Sequence, residues 1–111
     1  MVTDSSVIDS IFFDKHGKTL ELIIYDMKSI VDADLQYHNQ CMKEKVKAYV
    51  QAIENGQMYN LFELKKGKQY QYYIEVVIDQ VPGQWYLDFL DWLDERITLY
   101  SNGVIRVRLH H

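Results

Sequence analysis

Residues 68–79 read KQYQYYIEVVID, and their period is two. Tyr70, Tyr72, Ile74, Val76 and Ile78 share one face; Gln69, Gln71, Tyr73, Glu75, Val77 and Asp79 share the other. That alternation belongs to a β-strand with one face on a core. On its N-terminal side, residues 33–55 repeat Leu35, Met42, Val46, Tyr49, Val50 and Ile53 at helical spacing, with Lys43, Lys47 and Glu54 opposite. Asp32 is the expected N-cap, and Asn55-Gly56 the stop. On its C-terminal side, Pro82-Gly83 breaks the chain and a second amphipathic helix runs from about 84 to 100. Asn102-Gly103 ends it, and VIRVRL at 104–109 is a further strand.

Working outward to the start, VIDSIFF at 7–13 and KTLELIIYD at 18–26 flank Asp14-Lys15-His16-Gly17. The pair reads as a β-hairpin in which Gly17 takes the positive φ of a bulge. Residues 57–67 fit either a helical turn or a loop that tucks Met58, Leu61 and Phe62 into the core. The expected order is ββαβαβ: an α+β, two-layer α/β sandwich, its four-stranded sheet carrying two helices on one face. Ile105, Val107 and Leu109 then point at the helices, and Arg106 and Arg108 share the outer face with Glu21 and Glu75.

A chain of 111 residues makes one domain, 1–111, and buries enough surface to fold without staples. Hydrophobic residues at 48%, with one proline and five glycines, exclude a disordered tail or a low-complexity linker. The net charge of −4 disfavours a generic nucleic-acid binder, which needs a positive field. That charge is uneven. Residues 35–68 hold six lysines and three glutamates, whereas 69–111 hold six acids and three arginines. The single cysteine, Cys41, cannot form an intrachain disulfide. No basic leader region opens the sequence and no apolar run approaches a membrane span, so a cytoplasmic protein without membrane partners is expected. His110 and His111 are assigned no chemistry.

Asp34, His38 and Cys41 fall within about 60° on one helix face, with Lys45 four residues beyond. A Cys–His nucleophile oriented by a carboxylate is one reading of the set. Side chains standing parallel on one helix do not converge on a substrate, however, and no oxyanion element accompanies them. The set therefore reads as an ordinary helix flank, with no catalytic residue assigned. His38 and Cys41 give only two of the four ligands that a structural zinc needs. Phosphate-loop, dinucleotide, zinc-protease and calcium-loop patterns do not occur. The expectation is no metal and no cofactor.

The aromatic content, 14%, is more informative. Tyr86, Phe89, Leu90, Leu93, Ile97 and Tyr100 form the apolar arc of the second helix, with Asp88, Asp91, Asp94 and Glu95 broadly opposite. Trp85 and Trp92 lie seven residues apart on one flank. With Asp88, Asp91 and Glu95 they make the expected partner-binding surface, since Trp dominates interface hot spots and acids steer a basic partner. Ile23, Tyr25, Tyr73 and Val77 make a second apolar patch on the outer sheet face, suited to self-association as a homodimer.

Val7-Ile8-Asp9 with Ile11, a hairpin ending near Asp26, the segment KVKAYVQAIENGQMY at 45–59 and a later strand leading into a helix resemble a bacterial family of small proteins known only as a domain of unknown function. The resemblance covers nearly the whole chain and carries no catalytic residue. Small acidic single-domain proteins also include immunity proteins that neutralise toxins, an analogy of size and charge. The sequence thus favours a non-enzymatic cytosolic protein-binding domain, with an immunity-type protein that neutralises a basic toxin as its specific form. The alternatives are a self-associating module, or a small ligand-binding domain or enzyme with a pocket between helices and sheet.

Overall fold

The computed structural model describes residues 8–14, 16–26, 35–65 and 67–110. Strands β1 (Ser10–Asp14) and β2 (Thr19–Asp26) precede helices α1 (Leu35–Glu54) and α2 (Gln57–Phe62). Strand β3 (Gln71–Ile78), helix α3 (Gln84–Ser101) and strand β4 (Ile105–Leu109) follow. The fold is α+β with one four-stranded mixed sheet in the order β1-β2-β3-β4. β1 pairs antiparallel with β2, whereas β2, β3 and β4 run parallel. The element order therefore contains a helix beyond the expected ββαβαβ. The ambiguous segment closes into α2 between Gly56 (φ 77°) and Glu63 (φ 53°), both left-handed. It buries Met58 and packs Phe62 against Phe13, but Leu61 is exposed rather than tucked in.

Strand limits follow from what each strand can pair with. Residues 68–70 keep the alternation but lie beyond the start of β2, so β3 begins at Gln71, opposite Thr19. β1 begins at Ser10 because Asp9 is occupied elsewhere: its Oδ1 accepts from Lys45 Nζ at 2.8 Å and its Oδ2 from the Tyr25 amide at 2.9 Å. In the hairpin, Asp14 Oδ1 accepts the amides of His16 and Gly17, and the positive φ falls on Lys18 (51°) instead of Gly17. Gly17 serves a different need. A Cβ there would stand 3.0 Å from Asp14 Oδ2, against the side chain that closes the turn. The Asp32 cap lies outside the described residues. Helix α3 does stop at Asn102 (φ 55°) and Gly103 (φ 82°).

Leu20, Leu22 and Ile24 of β2, Tyr72, Ile74 and Val76 of β3, and Ile105 and Val107 of β4 enter one core. Met42, Val46, Tyr49 and Ile53 of α1 and Tyr86, Leu90 and Leu93 of α3 complete it. Tyr49 also donates its hydroxyl to the Ile23 carbonyl at 2.5 Å, so a core aromatic satisfies its polar end on the sheet.

On the opposite face, Arg108 pairs with Glu75 and lies 3.6 Å from Glu21, as the alternation implies. Arg106 turns to the sheet edge and forms a two-pronged pair with Asp94 of α3 at 2.9 and 2.7 Å. Asp94 is thus structural, not a spare surface acid. Its Oδ1 also accepts the outward-pointing Val107 amide at 2.9 Å, and Ser101 Oγ accepts the Ile105 amide at 2.9 Å. Two amides of the β4 edge are thereby closed to another strand. The Arg106 hydrogen bonds hold the Asp94 carboxyl below its ordinary pKa, against a smaller upward push from burial. A depressed folded-state pKa adds stability above the unfolded value, and that stability is lost as pH falls through the folded one. Asp94→Ala is expected to cost about 1–3 kcal/mol in urea unfolding at neutral pH, and the difference from the parent should shrink under acid. An unchanged urea midpoint at pH 7 would refute this role.

Candidate functional site

Asp26 ends β2, where the apolar run Leu22-Ile23-Ile24-Tyr25 meets its first acid. His38 lies in the first turn of α1 and Tyr86 in the first turn of α3. All three side chains are buried. Asp26 Oδ2 accepts from His38 Nε2 at 2.6 Å and from the Tyr86 hydroxyl at 2.5 Å. The other ring nitrogen, His38 Nδ1, lies 2.9 Å from Asn39 Oδ1. Asp26 Oδ1 has no hydrogen-bond partner among the described residues. The cluster sits at the C-terminal end of the parallel strands and ties both long helices to it.

Burial alone lowers the His38 pKa, but the hydrogen bonds to Asp26 and Asn39 outweigh it and raise it above an ordinary histidine. Burial, reinforced by the Asp26 carboxylate, pushes Tyr86 far above an ordinary phenol. Charge on His38 is thereby favoured and charge on Tyr86 disfavoured, and the cluster, bonded to β2 and to both long helices, acts as a clamp.

This corrects the reading of His38 as part of an outward helix flank: its ring turns inward, to an acid twelve residues earlier. Asp34 lies outside the described residues. Cys41 is buried, and the Tyr37 hydroxyl is hydrogen-bonded to it, which raises the Tyr37 pKa. Lys45 is paired with Asp9 at 2.8 Å and is fully buried, so its charge is spent there. Among the described residues, no three His, Cys, Asp or Glu side chains are grouped to hold a metal. No helix among them is long and apolar enough to cross a membrane. His110, given no chemistry above, bonds Glu75 Oε2 at 2.8 Å.

The residues expected to bind a partner divide cleanly. Trp85 and Trp92 are each 39% exposed, and Asp88, Asp91 and Glu95 are exposed beside them on α3. Trp85 stands edge-on to His38 at 6.0 Å, covering the clamp. Trp92 stacks on Phe89 at 6.2 Å, with Arg96 and Lys43 at 4.5 and 5.0 Å from its ring. The rim of Trp92 is therefore cationic toward α1, beside the exposed acids Asp88, Asp91 and Glu95. Leu99, seven residues beyond Trp92 and 80% exposed, extends the stripe and was missed, although the same spacing would have found it. On the outer sheet face Ile23 is only 3% exposed and belongs to no open patch. Tyr25 is exposed, Val77 is half-buried, and Tyr73 lies under the Arg108 guanidinium at 3.8 Å.

The protein is an α+β domain with a carboxylate clamp inside and an aromatic stripe outside. The model for the Family of unknown function (DUF6572) matches residues 1–106, and the chain belongs to that family. Comparison with curated proteins and with solved structures gave no match.

The clamp has a pH signature. A raised folded-state pKa adds stability that is complete below the unfolded histidine value and lost as pH rises through the folded one. The parent should therefore lose stability in mildly alkaline solution, and His38→Gln should flatten that part of the profile. Removing one member of a buried pair should cost about 3–5 kcal/mol at pH 6. Chemical denaturation across pH 5–9, about the ordinary histidine value, measures both. Parallel profiles for parent and variant would overturn the assignment.

Proposed function

We propose that this chain is a non-enzymatic protein-binding domain whose contact surface is the exposed side of α3. The observation that carries the reading is the stripe Trp85, Trp92 and Leu99, held open to solvent at seven-residue intervals. Large apolar side chains in such a row are costly to leave in water and are the residue types that anchor interfaces. Phe89 beneath Trp92 and Tyr86 beside Trp85 hold the rings in place, which lowers the entropy lost on docking.

The partner in this reading is a basic protein, met by Asp88, Asp91 and Glu95 on the flank away from Lys43 and Arg96. An immunity-type role, neutralising a basic toxin in the cytosol of a bacterium, is the form that this chemistry takes. The reading also treats the two long helices as one layer on one sheet face. Both parallel crossovers, β2 to β3 and β3 to β4, advance in the same direction across the sheet. Right-handed crossovers of that kind put successive helices on the same side. Self-association is the weaker reading, because Ile23 is buried and Ser101 and Asp94 close two amides of the β4 edge.

Affinity capture followed by titration of the captured protein tests the surface. The expected partner is basic, and its binding weakens with salt. Trp85→Ala or Trp92→Ala should each cost about 2 kcal/mol or more, roughly thirtyfold in Kd. Full affinity in the double variant, with its melting temperature unchanged, would overturn the reading.

A further inference from the structure

The cations of this protein are unevenly spent. Lys45, Arg106 and Arg108 are paired with carboxylates, and Lys43 and Arg96 lie over Trp92. Lys18, Lys65 and Lys68 form no ion pair among the described residues, and the three meet at the end of the sheet where β2 and β3 begin. Lys18 and Lys68 line an open crevice of about 770 Å³, and both also line an adjoining one of about 310 Å³ that includes Lys65. Among the described residues no carboxylate lines the larger crevice; Glu63 lines the smaller. A concavity walled by one sign of charge concentrates counter-ions.

Its other wall is aromatic. Tyr59 and Tyr70 line the larger crevice with their rings 6.5 Å apart and nearly perpendicular. Phe13 stands edge-on to Tyr70 at 6.1 Å and continues to Phe62 at 5.6 Å. The Tyr70 hydroxyl accepts the Lys65 amide at 3.0 Å, which fixes the turn that carries two of the lysines. Gln71 Nε2 donates to the Gly103 and Val104 carbonyl oxygens at 3.1 and 2.9 Å, bracing the opposite side. Aromatic faces beside free ammonium groups suit a ligand that is itself a planar ring carrying an anion, and the volume is of small-molecule size.

We propose that the crevice between Gly17-Lys18, the Lys68–Gln71 segment and the end of α3 binds a free mononucleotide, its base on Tyr59 and Tyr70 and its phosphate at Lys18 and Lys68. The site lies apart from the α3 stripe and stands whether or not that surface binds a protein. Calorimetric titration of the full chain with adenosine monophosphate tests it. Saturable binding is expected, with adenosine and inorganic phosphate each at least tenfold weaker, because each lacks half of the recognised chemistry. Lys68→Ala and Lys18→Asn should each weaken binding about tenfold, the loss of one charge-assisted hydrogen bond; asparagine tolerates the left-handed φ at position 18. Lys47→Ala, in the groove between α1 and α3, should change nothing. Absence of saturation at about 1 mM, the weak end of specific binding, would overturn the proposal. So would phosphate binding as tightly as the nucleotide, an equal loss in Lys47→Ala, or a single-stranded oligonucleotide binding far more tightly than the monomer.

Discussion

One buried carboxylate governs the packing of this domain. Asp26 closes the central strand β2 where no water reaches it, and a carboxylate in that position must be met by donors. His38 and Tyr86 meet it, and each belongs to a different long helix. Most other core contacts are apolar and non-directional, and restrain small slides of either helix along the sheet less sharply. A hydrogen bond does not tolerate them. The two contacts to Asp26 Oδ2 therefore set where α1 and α3 begin relative to the strand end. A second polar set, Asp9 with Lys45 and Tyr49, joins α1 to the chain just before β1. Helix α1 is thus held at His38, Lys45 and Tyr49 along one side.

Much of the architecture was legible in residue order. The alternation in β3 and the helical spacing of α1 and α3 depend on local side-chain period, which one sequence displays. What it displays poorly is any contact whose partners lie far apart along the chain. Asp26 and Tyr86 are sixty residues apart, and nothing in the run YD at 25–26 announces a phenol. His38, read along its own helix, keeps company with Cys41; in space its ring has turned to β2. The partner of Lys45 was hidden for the same reason, Asp9 being thirty-six residues away. The Trp pair on α3 was legible, since exposure on a helix flank follows from angle alone. The cations around Trp92 were only half so, because Lys43 comes from the other helix.

Charge is sorted by function across the molecule. Arg106 and Arg108 neutralise acids that the fold itself needs, Asp94 at the sheet edge and Glu75 beneath the outer face. Asp88, Asp91 and Glu95 form no such internal pairs with the described cations and stay at the surface of α3. Lys18, Lys65 and Lys68 do likewise at the opposite end. An overall charge of −4 conceals two fields of opposite sign. Each accompanies a set of aromatic side chains.

The strands lie in the sheet in the order in which they occur in the chain. During synthesis the β1–β2 hairpin emerges before the other described elements and can close on its own short turn. β3 then has a finished edge to join, and β4 another, with helical chain arriving before each addition. No strand must wait for a later one to prepare its place, and none must be threaded between two already paired. Growth by accretion at one border suits vectorial translation, and the last border laid down is the one that Ser101 and Asp94 seal.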